Sequence, residues 1–285
     1  MNKKSYIEEL ADAMSLSAEE KKLLLEYVEN AFKNKINPEN AKAADISIWD
    51  NIIEIYRKEG AEAAYNKTYA RNYPVKFRHP EKIRIEIADS FAGKIPITYI
   101  EDREDFEDLN ASLFYKGEHP ESLAEMGAQF VMGKNTQFII LSAKPYSNVT
   151  AQELQLDSEE WLEKSMLIRK SHECTHLYTR KIYGTARNNL HDEIIADFMG
   201  IYDAFGYYNA DYFLKFMGVL PSKGNRIIVY TKDLPQKVVK AIMEIAKTAS
   251  KGLEKWSKTP EFLGLTKEER ITKLCEIGLD GMCEL

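Results

Sequence analysis

The sequence predicts an α+β fold in which a helical N-terminal part, a small mixed or antiparallel sheet and a helical C-terminal part follow one another along the chain. Three observations carry this. Apolar residues recur at three- and four-residue spacing up to about residue 72, the period shifts toward two between about 75 and 145, and helical spacing returns after a Lys144-Pro145-Tyr146-Ser147-Asn148 loop. The implied division is a helical lobe over residues 1–74 and a second domain over 75–285, with its sheet at about 75–145 and its helices at about 155–285.

In the first part, Leu23, Leu24, Tyr27, Val28 and Phe32, then Ile46, Ile48, Trp49, Ile52, Ile53, Ile55 and Tyr56, supply the helical stripes. Gly60 and Asn72-Tyr73-Pro74 punctuate them. In the second, Ile83-Arg84-Ile85-Glu86-Ile87 alternates, Ile95 to Ile100 is β-rich, and the runs Ala128–Met132 and Gln137–Leu141 flank a Gly-Lys-Asn turn suited to a hairpin. In the third, Asp157 with Glu160 opens a helix that runs to Tyr183, where Gly184 can terminate it. A second helix opens near Asn188-Asn189 and ends at Gly206, Ile227 to Tyr230 reads as a short strand, and about 234–257 and 266–277 read as amphipathic helices.

Composition excludes several classes. With 285 residues, 44% hydrophobic and 29% charged, the chain is an ordinary globular one, not a disordered, collagen-like or coiled-coil sequence. Three cysteines make no disulfide framework, so a reducing, cytoplasmic setting is expected. Met1-Asn2-Lys3-Lys4 has no apolar stretch behind it, so no signal peptide is expected, and no run of ~18 apolar residues offers a membrane span. A net charge of −6 with dispersed lysines argues against nucleic acid as a partner.

There are only five histidines, and three fall in one short window: His172, His176 and His191. The stretch Ser171-His172-Glu173-Cys174-Thr175-His176 is H-E-x-x-H. Histidines four apart lie one helical turn from each other on one face, so both imidazoles can reach one metal ion with Glu173 close by. Chance would produce the pattern on the order of 0.01 times in a chain of this composition. On the next helix Glu193 and Asp197 are again four apart, while Ile194, Ile195, Phe198, Ile201, Tyr202 and Phe205 occupy much of the remaining circumference. A helix that otherwise seeks burial turns two carboxylates inward only for a partner, and a dication plus the second N–H of a ligand histidine is such a partner. His191 or Asp197 could take the third ligand position in place of Glu193. Cys174 faces away from the pair, and His79 and His119, each before a proline, read as surface residues.

This arrangement resembles the gluzincin metallopeptidases, the thermolysin-like group, whose signature is H-E-x-x-H followed by a helix with E-x-x-x-D. The wording Glu-Ile-Ile-Ala-Asp-Phe is also similar to the Glu-x-x-Ala-Asp helix of the CAAX-prenyl-peptidase-type branch. The resemblance implies a zincin-like fold and one zinc ion per chain, with His172, His176 and Glu193 as ligands, Glu173 as general base and Asp197 orienting a ligand histidine. Glu193 follows His176 by 17 positions, close to the family's spacing. Lys170, where zincins usually carry an uncharged residue, and Asp192, where thermolysin itself has Asn before the ligand Glu, are departures. Metzincins are excluded because position 182, where they need a third histidine, is Ile.

A zinc site with three protein ligands keeps one position open and is the catalytic kind. The expected reaction is therefore hydrolysis of a peptide or protein substrate: Glu173 takes a proton from zinc-activated water and returns it to the leaving amine. Alternatives are a zinc hydrolase of a non-peptide amide or small molecule, and a non-catalytic metal-binding regulatory protein. Candidate oxyanion donors are Tyr183, His191, Tyr207, Tyr208, Arg226 and Tyr230, and the strand Thr136–Leu141 is a candidate to pair with extended substrate.

Overall fold

The computed structural model describes residues 5–35, 46–132, 137–185 and 189–285. Its helices are α1 (Tyr6–Ala13), α2 (Ala18–Val28), α3 (Ser47–Asn66), α4 (Arg103–Phe114), α5 (Ala151–Leu154), α6 (Ser158–Tyr183), α7 (Leu190–Phe205), α8 (Ala210–Met217), α9 (Arg226–Thr231), α10 (Gln236–Trp256), α11 (Pro260–Gly264) and α12 (Lys267–Cys283). Its strands are β1 (Ile83–Ser90), β2 (Gly93–Ile100), β3 (Ala128–Met132) and β4 (Gln137–Ser142). They form one mixed sheet in the order β1-β2-β4-β3, with β2 and β4 parallel and the two outer pairs antiparallel. Among the described residues no helix is long and apolar enough to cross a membrane. Cys174, Cys275 and Cys283 are all free thiols.

The sheet is covered on both faces because its strands alternate two apolar sets. Phe138 and Ile140 of β4, with Ile83, Ile85 and Ile100, face α3 and α4 through Trp49, Ile52, Phe106 and Leu109. Ile139 and Leu141, with Ile95 and Ile97, face Cys174 and Leu177 of α6. α6 therefore lies on the sheet by one side and leaves the opposite side for chemistry.

α6 and α7 start and stop as their sequences direct. Asp157 caps α6 by accepting from the amides of Glu159 and Glu160, and Gly184 ends it in the left-handed conformation. Asn189 caps α7 through the Asp192 amide, and Gly206 ends it the same way. Ile194, Ile195, Phe198, Met199 and Ile201 of α7 are all fully buried, each worth about 1.5–3 kcal/mol of transfer free energy. This burial clamps α7 between α6 and the C-terminal helices α10 and α12.

Gly200 sets how closely α6 and α7 approach, since a Cβ there would come within 2.8 Å of the Ile168 carbonyl oxygen. Gly200→Ala is expected to force the helices apart and cost about 1–3 kcal/mol, read as a lower denaturation midpoint at unchanged m-value. A midpoint equal to that of the parent would show that the crossing distance is not set by this contact.

Four expectations need correction. The N-terminal helices do not form one lobe: α1 and α2 pack on α10 and α12, while α3 packs against β1. The β-rich stretch also contains α4, capped by Asp102. Gln137–Leu141 lies inside the sheet, hydrogen-bonded to β2 on one side and β3 on the other, so the edge on that side is β3. The expected Ile227–Tyr230 strand is the helix α9, in which Ile227 and Thr231 are buried one turn apart. β-Branched propensity loses there to tertiary packing. β3 and β4 do pair as a hairpin, but Gly133 to Asn135 of its turn, with Thr136, lie outside the described residues, as does Asn188 before α7.

Candidate metal centre

Five side chains of α6 project into one cavity because their positions repeat at three or four residues: Arg169, His172, Glu173, His176 and Arg180. The cavity measures 740 Å³ and is closed on its other sides by the entry to β3, the loop around Tyr146, Glu193 of α7 and the first turn of α9.

At its floor, His172 Nε2 and His176 Nε2 stand 3.0 Å apart. Glu193 Oε1 lies 3.5 Å from His176 Nε2, and Oε2 lies 3.7 Å from His172 Nε2. One ligand atom from each residue falls within 4.8 Å of the others, and this buried group can hold a metal ion. The outer nitrogens are held as well: His172 Nδ1 lies 2.8 Å from Asp197 Oδ1, and His176 Nδ1 lies 3.2 Å from Asp192 Oδ1. Donation of Nδ1–H to a carboxylate leaves each neutral imidazole with its Nε2 lone pair toward the centre. Two such lone pairs and a carboxylate oxygen converging in a buried space can share a cation between them.

The surrounding charges favour a cation as well. Asp192, Glu193 and Asp197 are at most 4% exposed, and the Arg226 guanidinium bonds Glu193 and Asp197. Buried carboxylates gathered around two imidazoles make this an electronegative pocket that favours a cation. Burial opposes a charged imidazole at His176, yet the Asp192 and Glu193 carboxylates outweigh it and hold the ring well above the ordinary histidine range. Burial likewise opposes ionisation of Glu193, but Arg226 and the two histidines keep it well below the usual carboxylate range.

Tyr146 and Arg226 tie the centre together. Tyr146 donates its hydroxyl to Asp197 Oδ1 at 2.5 Å and sits 3.0 Å from His172 Nδ1. Its loop is tightly wound, with Ser147 and Asn148 both at positive φ, 52° and 61°. Arg226 bonds Glu193 Oε2 through Nη2, and through Nη1 it reaches both Asp197 oxygens, at 2.9 and 3.1 Å, and the Tyr146 hydroxyl at 3.0 Å. Helical geometry in α9 puts Tyr230 on the same face as Arg226, one turn on, and both line the cavity.

The structure thus brings His172, His176 and Glu193 into one group, sets Glu173 on the cavity wall and places Asp197 behind His172. His191 is elsewhere, buried with its Nε2 3.3 Å from Leu274 O and its ring against Phe32. Tyr183 also packs on Phe32, and neither Tyr207 nor Tyr208 lines the cavity. Cys174 lies on the sheet side of α6. His79 and His119 are partly exposed beside carboxylates of the α4 region. Lys170 points toward Glu86 and the Tyr99 ring, away from the cavity. Sequence reasoning missed Tyr146 and the role of Asp192. The signal for Asp192 was present in its departure from the Asn-Glu pair, since a carboxylate there can orient the second histidine.

Asp192→Asn and Asp197→Asn are each expected to weaken metal binding by about 10–100-fold, because an amide no longer accepts the imidazole N–H as strongly. Competition with a chromophoric chelator measures this. Unchanged affinity in both variants would remove these carboxylates from the orienting role.

The profile of a family described only as a family of unknown function (DUF7005) matches residues 46–137 and 135–284, a span that includes every residue of this centre. No curated protein and no solved structure matches the chain.

Proposed function

The chain belongs to this family of unknown function, and from its own residues we propose that it is a zinc metallopeptidase with a zincin-like catalytic domain. One observation carries the reading: two Nε2 atoms and a carboxylate converge on the floor of an open cavity, with each histidine backed by its own aspartate and Glu173 on the cavity wall. The donor set of two nitrogens and one oxygen fits a catalytic zinc, whereas closed structural sites use four protein ligands and favour cysteine. The mixed sheet lying against α6, followed by α7 with its carboxylates, supports the zincin-like assignment.

His172, His176 and Glu193 would hold the ion. Zinc bound there supplies a Lewis acid that polarises a carbonyl and acidifies water. Glu173 accepts the proton of the attacking water and passes it to the leaving nitrogen. Asp197 and Asp192 hold the imidazoles in the tautomer that presents Nε2 inward. Of the six donor candidates, Arg226 and Tyr230 line the cavity; Arg226 is committed to Glu193 and Asp197, which leaves Tyr230 to hydrogen-bond the oxyanion. The free edge of β3 borders the cavity through Ala128 and Phe130 and offers main-chain groups to an extended peptide.

Purified protein is expected to contain one zinc per chain by elemental analysis and to cleave members of a mixed peptide library in a chelator-sensitive way. Stoichiometric zinc without cleavage would overturn the peptidase reading, and absence of tight zinc binding would overturn the metal reading as well.

A further inference from the structure

The chain as a whole is negative, at −6, yet the cavity wall is not. Lys144, Arg169, Arg180 and Arg226 line it against Glu125, Glu173 and Glu193, so cations outnumber carboxylates even before a metal is counted. Arg226 is neutralised by its two carboxylates. Lys144 and Arg169 are not neutralised in this way. Lys144 Nζ donates to the carbonyls of Ala124 and Glu125, at 3.2 and 2.8 Å. Arg169 is 3% exposed and donates to the carbonyls of Ser142 and Pro145, at 2.9 and 3.0 Å. Lys144 thus reaches from the 142–145 loop to the 124–125 segment, Arg169 reaches that loop from α6, and both spend their charge on neutral oxygens. The Glu125 side chain is itself engaged, accepting from Asn148 Nδ2 at 3.1 Å.

Arg169 also has a place made for it. A Cβ on Gly127 would come within 2.6 Å of its Nε, so glycine there lets the guanidinium lie against the segment that enters the edge strand β3. Burial, together with repulsion from Arg103 and Arg169, pulls Lys144 down to about 8. A like-charged pair held partly out of water, beside the strand that would align a peptide, is a receptor for an anion.

We propose that Lys144 and Arg169 bind a carboxylate of the substrate, so that the preferred peptide presents a free C-terminal carboxylate or an acidic side chain near the bond to be cleaved. This rests on the peptidase reading above. A charge-assisted contact of this kind is expected to favour such peptides by about 10–100-fold.

The test uses the zinc-loaded full chain carrying Glu173→Gln, so that peptides bind without turnover, with affinities read by fluorescence anisotropy. Three positional peptide sets are compared: neutral with a free C-terminus, amidated with one glutamate, and amidated and neutral. Tighter binding of the first set by about 10–100-fold identifies a terminal carboxylate, and of the second a side chain; in either case Lys144→Met abolishes the preference and Lys144→Arg retains it. Equal binding of all three sets, or a preference that survives Lys144→Met, would overturn the proposal. If the parent protein cleaves no peptide at all, the peptidase reading falls on its own, and glutarate binding then decides the anion site. Lys144-dependent glutarate binding supports the site, and its absence or independence of Lys144 overturns it.

Discussion

Replacing Glu173 with glutamine is expected to lower peptide hydrolysis by roughly 10²–10⁴-fold while leaving zinc content at one per chain. The two effects separate because of where the side chain sits. Glu173 follows His172 on α6 and lines the cavity, yet it is not one of the three groups that converge on the metal position. Glutamine has nearly the same shape and keeps the helix intact, but its amide cannot accept a proton from water and hand it to an amine. The loss should therefore appear in kcat, with little change in KM. Activity within a few-fold of the parent would show that another group moves the proton, and loss of zinc would show that Glu173 helps hold the metal.

His172→Ala and His176→Ala are expected to abolish tight zinc binding and, with it, the stabilisation that zinc confers. A ligand that binds only the folded chain stabilises it by about 2.7 kcal/mol at one hundred times its dissociation constant. For a chain of this size that amounts to several degrees in the thermal midpoint. The parent protein should show this rise on adding zinc and lose it with chelator, whereas neither variant should respond. The physical cause is the cluster of buried carboxylates around the centre: Asp192, Glu193 and Asp197 are held close together out of water, and the ion offsets their repulsion. A variant that keeps full zinc stoichiometry and a full thermal response would remove that histidine from the ligand set.

The site was partly legible because part of it is local. The turn-to-turn register of α6 puts His172 and His176 on one face whatever the rest of the chain does, and the same holds for Glu193 and Asp197 on α7. The caps at Asp157, Gly184, Asn189 and Gly206 delimit the two helices for equally local reasons. The apolar alternation of β4, with Phe138 and Ile140 against Ile139 and Leu141, marks a strand just as surely. It cannot say whether that strand lies inside the sheet or at its edge, because this depends on which strands pair with it. The expectation that Thr136–Leu141 pairs with extended substrate failed on that point, since β2 and β3 already pair with β4.

The linear chain therefore settles what neighbours along a helix or strand can do: two histidines and a glutamate on one face, two carboxylates on another, and an α+β order of elements. Packing settles the rest. Tyr146 reaches His172 across 26 residues, Asp192 reaches His176 across 16, and Arg226 reaches Glu193 across 33. No periodicity encodes such distances. Residues 226–231 show the reason most directly: their β-branched side chains favour an extended backbone, but burial of Ile227 and Thr231 on one side winds them into a helix. That helix brings Arg226 and Tyr230 to the cavity together, because the roughly 1.5–3 kcal/mol from burying Ile227 outweighs a local backbone preference of about 1 kcal/mol or less.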